Sequence, residues 1–197
     1  MSYEQTTAPT VNAISDQEAK DQSRNELTDE DTLVGVYVDI AQNYAESSTN
    51  IQFITATWKL RLEEFPTGNE PIIFERNPVQ SITSIEYVDT DGNSQTWDSS
   101  KYEVDTKSMP GKVRPINTES YPSTKDQYDA VTITFVAGYG DATTDVPDTW
   151  RGGLQLMVAY LFENRDPVHT VNGESVAVAW PESVERMLSL GSLKNMK

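Results

Sequence analysis

Cysteine is absent from this chain, and histidine occurs once, at position 169. A chain without cysteine has no disulfide bonds and no thiolate metal ligands, and one histidine leaves little room for histidine chemistry. No apolar run approaches the ~20 residues of a membrane-spanning helix, and no secretory hydrophobic segment is recognisable. We therefore expect a soluble protein made in the cytoplasm, with no cofactor, no metal and few residues suited to catalysis.

Basic residues are also scarce. The 197 residues include 15 Lys and Arg against 31 Asp and Glu, which gives a formal net charge of −16. A protein that grips nucleic acid needs Lys and Arg to neutralise phosphates, so this balance argues against direct nucleic-acid binding. It does not argue against DNA passing close by. The length suits one ordinary domain with appendages.

The first 27 residues are rich in Thr, Gln, Asn, Ser and acids and have few large apolar side chains. Such a segment by itself cannot bury enough apolar surface to offset the entropy of ordering, so it is expected to be disordered in isolation. We interpret residues 1–27 as an extended N-terminal arm that lies across a neighbouring molecule. The alternative is a solvated tail.

Apolar residues recur every three or four positions in three places, which predicts helices over about 29–46, 147–165 and 182–190. The second of these has an unusually wide apolar face, because Leu156 and Tyr160 lie outside its main stripe. A stripe so wide needs neighbours on several sides. Those neighbours include the first helix and could include other copies of the chain.

The region from about 53 to 136 shows alternation of apolar and polar residues, which predicts an antiparallel β-region inserted between the helices. A change of parity in one strand indicates a β-bulge near Thr83. Asp91 and Gly92 predict a hairpin with a type I′ turn. The segment 109–129 is rich in Pro, Ser and Thr and is predicted to be an irregular connection. The fold class is therefore α+β, with extended terminal arms.

Several segments, read together, carry a resemblance: IAQNYAESSTN, NPVQSITSI, YVDTDG, FVAGYG and a helix that ends in ENRD. This set, spread over about residues 29–190, resembles the head-tail connector (adaptor or head completion) family of tailed bacteriophages, in the branch with a β-insertion between its helices. The resemblance implies a connector domain over 28–190 with the insertion at 53–136, and a C-terminal docking tail at 191–197. The long N-terminal arm departs from the family pattern.

The resemblance implies a structural virion protein without catalytic residues. Such connectors form a ring, usually a dodecamer, beneath the portal, where they extend the DNA channel used in genome ejection and give tail or neck proteins a docking platform. The implied location is the neck of the virion, between capsid and tail. The acidic charge fits this role, because a wall that repels phosphates lets DNA slide through the lumen without specific binding.

In the family the C-terminal segment reaches the portal, which points here to one group of apolar and cationic residues. These implied portal-docking residues are Trp180, Leu188, Leu190, Leu193, Lys194, Met196 and Lys197. A loop is predicted over 166–180, around Asn172-Gly173, and its exposed apolar character suits contact with the tail or with a neighbouring subunit. The loop residues assigned to this contact are Val168, His169, Val176 and Val178.

Other interpretations remain open. Trp58, Trp97 and Tyr102 could form a sugar-stacking platform, which would make the chain a carbohydrate-binding β-module, although aromatic residues on strands are more often core. The sequence DTDGN resembles the start of a calcium loop but lacks the bidentate Glu, so a hairpin turn is favoured. The sequence GYGD lacks the third glycine of a phosphate-binding fingerprint, and a turn is again favoured.

Overall fold

The computed structural model describes residues 1–23, 30–165, 168–171, 174–177 and 180–191. The chain divides into two compact units. The β-unit comprises Met1–Thr10 and Ile54–Asp141, and the helical unit comprises Val11–Phe53 and Ala142–Lys197. The α+β class is confirmed, with the antiparallel β-region inserted between helices. No helix in the described ranges is long and apolar enough to cross a membrane.

The β-unit contains two antiparallel sheets. Its strands in chain order are β1 (Ser2–Thr7), β2 (Ala56–Leu62), β3 (Ile72–Ile73), β4 (Val79–Val88), β5 (Ser94–Thr96), β6 (Tyr102–Asp105), β7 (Lys112–Pro115) and β8 (Val131–Ala137). One sheet has five strands in the order β1-β2-β8-β4-β5, and the other has three in the order β3-β7-β6. The central position of β8 in the larger sheet agrees with its apolar alternation.

Alternate residues of the central strands form the core of the β-unit. On β8, Val131, Ile133 and Phe135 are buried, while the intervening threonines are partly exposed. Trp58 and Leu60 of β2 point into the same core. The core is therefore built by the period of two that the sequence displays.

The predicted bulge on β4 is confirmed, because its pairing with β8 shifts register between Ile82 and Ser84, on either side of Thr83. The β4–β5 hairpin is also present, but the predicted turn type is wrong. A type I′ turn needs two left-handed residues, and in this turn only Gly92 has a positive φ, of 91°. The Asp89 carboxylate instead accepts hydrogen bonds from the backbone N–H groups of Asp91 and Asn93, which stabilises a different turn.

The segment 109–129 is not irregular throughout, because β7 lies within it and pairs with both β3 and β6. A buried amide side chain joins this segment to the loop before β4. Asn77 donates to the carbonyl of Phe74 at 2.6 Å and accepts from the N–H of Gly111 at 2.7 Å. The pairing of β7 with β3 and the contact of Asn77 with Gly111 join residues far apart in the sequence, so local composition did not reveal β7.

Within the described residues 1–23, the N-terminal segment is ordered against its own chain. Strand β1 pairs with β2 as an edge strand, so the backbone groups on one of its sides are hydrogen-bonded within the chain. Tyr3 anchors it, with its ring edge-on to Phe135 at 6.3 Å and its hydroxyl accepting from the Glu75 N–H at 2.9 Å. Residues 24–27 lie outside the described residues, and contact of the segment with a neighbour stays a prediction.

The helical unit contains α1 (Asp16–Ser23), α2 (Asp31–Thr49), α3 (Asp148–Glu163) and α4 (Glu182–Gly191). The predicted helices over 29–46, 147–165 and 182–190 correspond to α2, α3 and α4. Helix α3 packs against α1, α2 and α4. The predicted contact between the first long helix and the helix of Trp150 is therefore confirmed, since α2 packs against α3 and both bury one face.

A hairpin replaces the loop predicted over 166–180. Strand β9 (Val168–Val171) pairs antiparallel with β10 (Glu174–Ala177). Asn172 and Gly173, which separate the two strands, lie outside the described residues. Two short alternating runs divided by Asn-Gly are a recognised hairpin signal, so the sequence contained the information for this element.

Candidate functional site

The described ranges contain no group of three or more His, Cys, Asp or Glu residues arranged to hold a metal ion. The acidic DTDGN segment forms the turn described above, with the Asp89 carboxylate occupied by neighbouring groups. Its strongest contact, from the Gln95 side chain, and the backbone N–H of Asn93 hold the pKa of Asp89 below its usual value. The turn interpretation of this segment is therefore supported over a calcium loop.

The GYGD segment is explained by a close approach of two backbones. Gly138 has a φ of 138°, and a Cβ at this position would lie 2.6 Å from the backbone nitrogen of Thr55. Two residues later, the Gly140 carbonyl accepts from the Thr55 N–H at 2.9 Å. Glycine is needed here to bring the chain beside residues 54–55, which leaves the phosphate-cradle interpretation without support.

The aromatic residues proposed as a sugar platform lie within the β-unit core. Trp97 is only 4% exposed and packs against Phe65, Tyr102 and Tyr121 at ring-centroid distances of 5.6, 5.0 and 5.4 Å. Trp58 is buried as well, with the Arg76 guanidinium 4.7 Å from its ring centroid. A stacking platform requires exposed ring faces, so the prediction that these aromatics are core residues is confirmed for Trp58 and Trp97, while Tyr102 is partly buried against that core.

Trp180, which the sequence assigned to portal docking, lies at a junction of the helical unit. Its ring is 5.2 Å from the ring of Tyr44 on α2 and 5.8 Å from that of Tyr160 on α3. The side chain is partly buried between the two helices. Trp180 therefore joins α2 to α3 and still presents part of its surface to the outside.

The remaining residues of the predicted docking group have different environments. Leu188 is buried in the helical unit together with Val184, so its side chain is already covered by its own chain. Leu190 lies in the last turn of α4. Leu193, Lys194, Met196 and Lys197 lie outside the described residues.

The residues assigned to the tail-facing loop lie mostly on the β9–β10 hairpin. In its register Val168 is opposite Ala177, and His169 is opposite Val176. Val178 lies outside the described residues. The hairpin thus brings three of the four predicted residues together on two adjacent strands.

Both arginines that flank α3 form ion pairs inside the helical unit. Arg151 pairs with Glu18 of α1 and, at 3.1 Å, with Asp148. Arg165 pairs with Glu30 at 2.8 Å, and its guanidinium lies 4.4 Å from the ring centroid of Phe162. These contacts explain both arginines without a second subunit.

The carboxylate of Glu18 joins the start of α1 to α3, because it binds both Ser15 and Arg151. Burial acts to raise its pKa, but hydrogen bonds from the Ser15 N–H, the Ser15 hydroxyl and Arg151 outweigh this, so the pKa lies below its usual value. Glu18 therefore remains ionised near neutral pH. It caps α1 and ties that helix to α3.

The structure also reveals exposed apolar residues on the helices that the sequence did not assign to function. They are Val36, Ile40 and Tyr44 on α2, and Leu156 on α3. The signal available in the sequence was the spacing of four between the three residues of α2. The same spacing also occurs between residues that other helices bury, so it does not distinguish an exposed row from a buried one.

No known protein-family profile matches the chain, and no curated protein sequence matches it either. Solved structures do match. A chain in the structure described as the virion of native gene transfer agent (GTA) particle is 21% identical, with a TM-score of 0.79, and the match covers 98% of this chain and 95% of that one.

Two further matches have the same coverage of 98% of this chain and 95% of the other. The structure described as the neck of empty GTA particle, computed with C6 symmetry, gives 20% identity and a TM-score of 0.76. The structure described as the neck of native GTA particle, computed with C12 symmetry, gives 18% identity and a TM-score of 0.72. The chain therefore shares its fold, over nearly its whole length, with chains found in the virion and neck of that particle.

Proposed function

We propose that this protein is a structural, non-enzymatic component of a virion neck, a head-tail connector (adaptor) of a tailed phage or phage-like particle. The observation that carries the proposal is the match at a TM-score of 0.79 to a virion chain, covering 98% of this chain and 95% of that one. The match includes both the β-unit and the helical unit. The connector family itself is inferred from the sequence motifs, and the shared fold supports that inference.

The proposed assembly is a ring, a dodecamer, that lies beneath the portal and continues the DNA channel toward the tail. Two of the similar chains come from necks computed with C6 and C12 symmetry, which supports a cyclic arrangement. Closed rings are built from repeated head-to-tail contacts between identical subunits. The outer end of the ring would give the tail or neck proteins a docking platform.

The charge of the chain suits a channel through which DNA slides. With 31 acids against 15 basic residues, a lumen lined by this protein repels phosphates and keeps a layer of water and counterions around the DNA. The same charge makes the subunits repel one another. Salt screens exposed charges beyond about 8 Å, so apolar contact between subunits can outweigh this repulsion.

The proposed portal contact is the C-terminal segment, through Leu190, Leu193, Lys194, Met196 and Lys197, with Trp180 at its base. Removal of residues 190–197 is expected to abolish portal attachment without unfolding the helical unit. The buried anchors of α4, Val184 and Leu188, remain after this truncation. Attachment that survived the truncation would move the proposed contact to the β9–β10 hairpin.

The decisive experiment is cryo-EM of intact particles from the source, with the neck classified without imposed symmetry. We expect a ring of this chain between the portal and the tail, with the C-terminal segments directed toward the portal. The same maps would give the copy number and the residues that face the lumen. Particles that lack such a ring would overturn the proposal and leave the shared fold without a shared role.

A further inference from the structure

Helix α2 presents a row of large apolar side chains on its outer side. Val36, Ile40 and Tyr44 are 47%, 45% and 43% exposed, and they follow one another at intervals of four residues. Side chains spaced by four form one of the ridges with which helices pack into the grooves of other helices. Within the described residues, this ridge is left largely uncovered although the opposite side of α2 is buried.

The acids of α2 are all engaged by groups of the same chain. Asp31 pairs with Lys20, and Asp39 accepts from the side-chain amide of Asn12 at 2.9 Å. Glu46 accepts from the Phe53 N–H and from the Gln52 side chain, each at 3.0 Å. The ridge itself carries no ionisable carboxyl or amino group. In a chain of net charge −16, it is a surface on which carboxylates do not oppose close contact.

The ridge continues onto a neighbouring helix through aromatic contacts. Tyr44 meets Trp180, and Trp180 meets Tyr160 of α3. One turn before Tyr160 lies Leu156, which is also exposed. The apolar surface thus extends from α2 across Trp180 to α3, which is larger than a scatter of single exposed residues.

We infer that the α2 ridge, Val36, Ile40 and Tyr44, is a contact between adjacent subunits of the ring and is covered by a second copy of this chain. The inference rests on the proposed function, which supplies the ring. A second copy is the occupant that a ring supplies, since every subunit of a closed ring meets two copies of itself, and no other exposed large apolar side chains of the described residues form such a row. The paired carboxylates of α2 do not oppose this approach of two acidic chains. Contacts in a ring join two different surfaces, so the ridge meets another part of the adjacent copy.

The test compares two matched substitutions in the full-length chain. Ile40→Asp places a carboxylate on the ridge, and Ile73→Asp places one on an equally exposed isoleucine, 46% exposed, of the β-unit. Wild-type assembly is measured by native mass spectrometry, alone and with the portal protein of the same particle. Circular dichroism and thermal melting verify that each variant folds.

We expect Ile40→Asp to weaken ring association at least roughly 30-fold, the effect typical of a central interface residue, while Ile73→Asp assembles like the wild type. Retention of the ring by Ile40→Asp would overturn the inference. Loss of the ring in both variants would overturn it too, because added charge anywhere would then be sufficient. If Ile40→Asp did not fold, Ile40→Asn would replace it, since it adds polarity without charge.

Failure of the proposed function and failure of the ridge contact give different results in this experiment. A wild-type chain that forms no ring under either condition would overturn the proposed function, and the inference with it. A wild-type ring that persists in Ile40→Asp would overturn only the inference. Ring formation by Ile40→Asp combined with loss of portal binding would assign the ridge to the portal instead of to a second copy.

Discussion

The two units of this protein bury their apolar residues to different degrees. In the β-unit the exposed large apolar side chains are Met1, Ile73, Met109 and Tyr128, and no two of them are neighbours on one strand. In the helical unit, three of the exposed apolar side chains follow one another along α2. The β-unit has therefore completed its core within one chain, whereas the helical unit leaves an apolar surface for something else to cover.

The ion pairs of the two units also differ in the elements that they join. In the β-unit the ion pairs of Arg61 with Glu4 and Arg114 with Glu103 join strands that are already hydrogen-bonded neighbours. In the helical unit the pair of Arg151 with Glu18 joins two separate helices. The ion pairs of the β-unit thus add to strand pairing that already exists, whereas that of Arg151 links two helices that share no backbone ladder. Such pairs contribute little in either unit compared with apolar burial.

The largest expected change in stability comes from a substitution in the core of the β-unit. Phe135 is fully buried on β8 and packs against Phe74 at 4.6 Å as well as against Tyr3. Phe135→Ala is expected to lower the free energy of unfolding by about 3–5 kcal/mol, because it removes apolar contacts and leaves a cavity. Native-state hydrogen exchange of the β8 amides measures this loss within the β-unit itself.

The matched control is Thr134→Ala, the adjacent residue on the other face of the same strand. Thr134 is only partly buried and lies outside the apolar core cluster. Its replacement is expected to change the free energy by less than about 1 kcal/mol. Equal losses in the two variants would mean that the β-unit is not held together by its core, and the contrast with the helical unit would disappear.

A smaller change in stability is expected when either of two adjacent glycines of α3 is replaced by alanine. One glycine lies on the side of α3 that α4 covers, and the other has open space beside it. A Cβ added at Gly152 meets no heavy atom within 4 Å, whereas one added at Gly153 would collide with the end of the Met187 side chain of α4. Gly152→Ala is expected to stabilise the helical unit by about 1 kcal/mol, the helix propensity difference between the residues.

Gly153→Ala is expected to stabilise the helical unit less than Gly152→Ala does, by a difference of about 1 kcal/mol or more. The reason is that Met187 must move to make room for the methyl group. Hydrogen exchange of the α3 amides gives both values in one experiment. Identical results for the two glycines would show that α4 does not cover Gly153 closely, and would contradict the described packing of α4 on α3.

The smallest effect concerns the ion pair of α1 and depends on pH. The pKa of Glu18 is below its usual value in the folded protein, so the unfolded state binds the proton more readily. Its ionised form therefore contributes stability above the ordinary glutamate pKa, and this contribution is lost as the pH falls through the lower pKa of the folded state. Glu18→Gln is expected to cost at most about 1 kcal/mol at pH 7.

The measurement is urea unfolding of wild type and Glu18→Gln at pH 7 and in steps down to about pH 3, below the ordinary glutamate pKa. The difference between them should shrink as the solution becomes acidic. Glu163→Gln, at an exposed acid on the last residue of α3, serves as the control for the removal of one surface charge. A pH-independent difference would mean that Glu18 acts through hydrogen bonds alone and not through its charge.

Much of the fold was predictable from local patterns. The spacing of apolar residues gave α2, α3 and α4, and alternation gave β2, β4 and β8. The parity change placed the bulge at Thr83. These elements share one property, which is that each buries a regular set of its own side chains, so the pattern of burial is written along the segment itself.

Other elements were missed for two different reasons. Helix α1 had a signal that was overlooked: Ser15 and Glu18 form a capping box, with the Ser15 hydroxyl accepting from the Glu18 N–H and the Glu18 carboxylate accepting from Ser15. Strand β1 had no comparable signal. Apart from Tyr3 its side chains are exposed, and it is a strand because β2 offers its backbone a partner.

The exposed apolar residues of α2 also depend partly on local sequence and partly on tertiary structure. The sequence by itself determined that the chain is acidic, lacks cysteine and carries apolar residues around most of α2, because composition and spacing are local properties. Only the tertiary structure decided which of those residues are covered, since α3 and the neighbouring helices bury Val34 and Val38 but not Val36 and Ile40. Exposure depends on which elements pack on a face, and those elements come from distant parts of the chain.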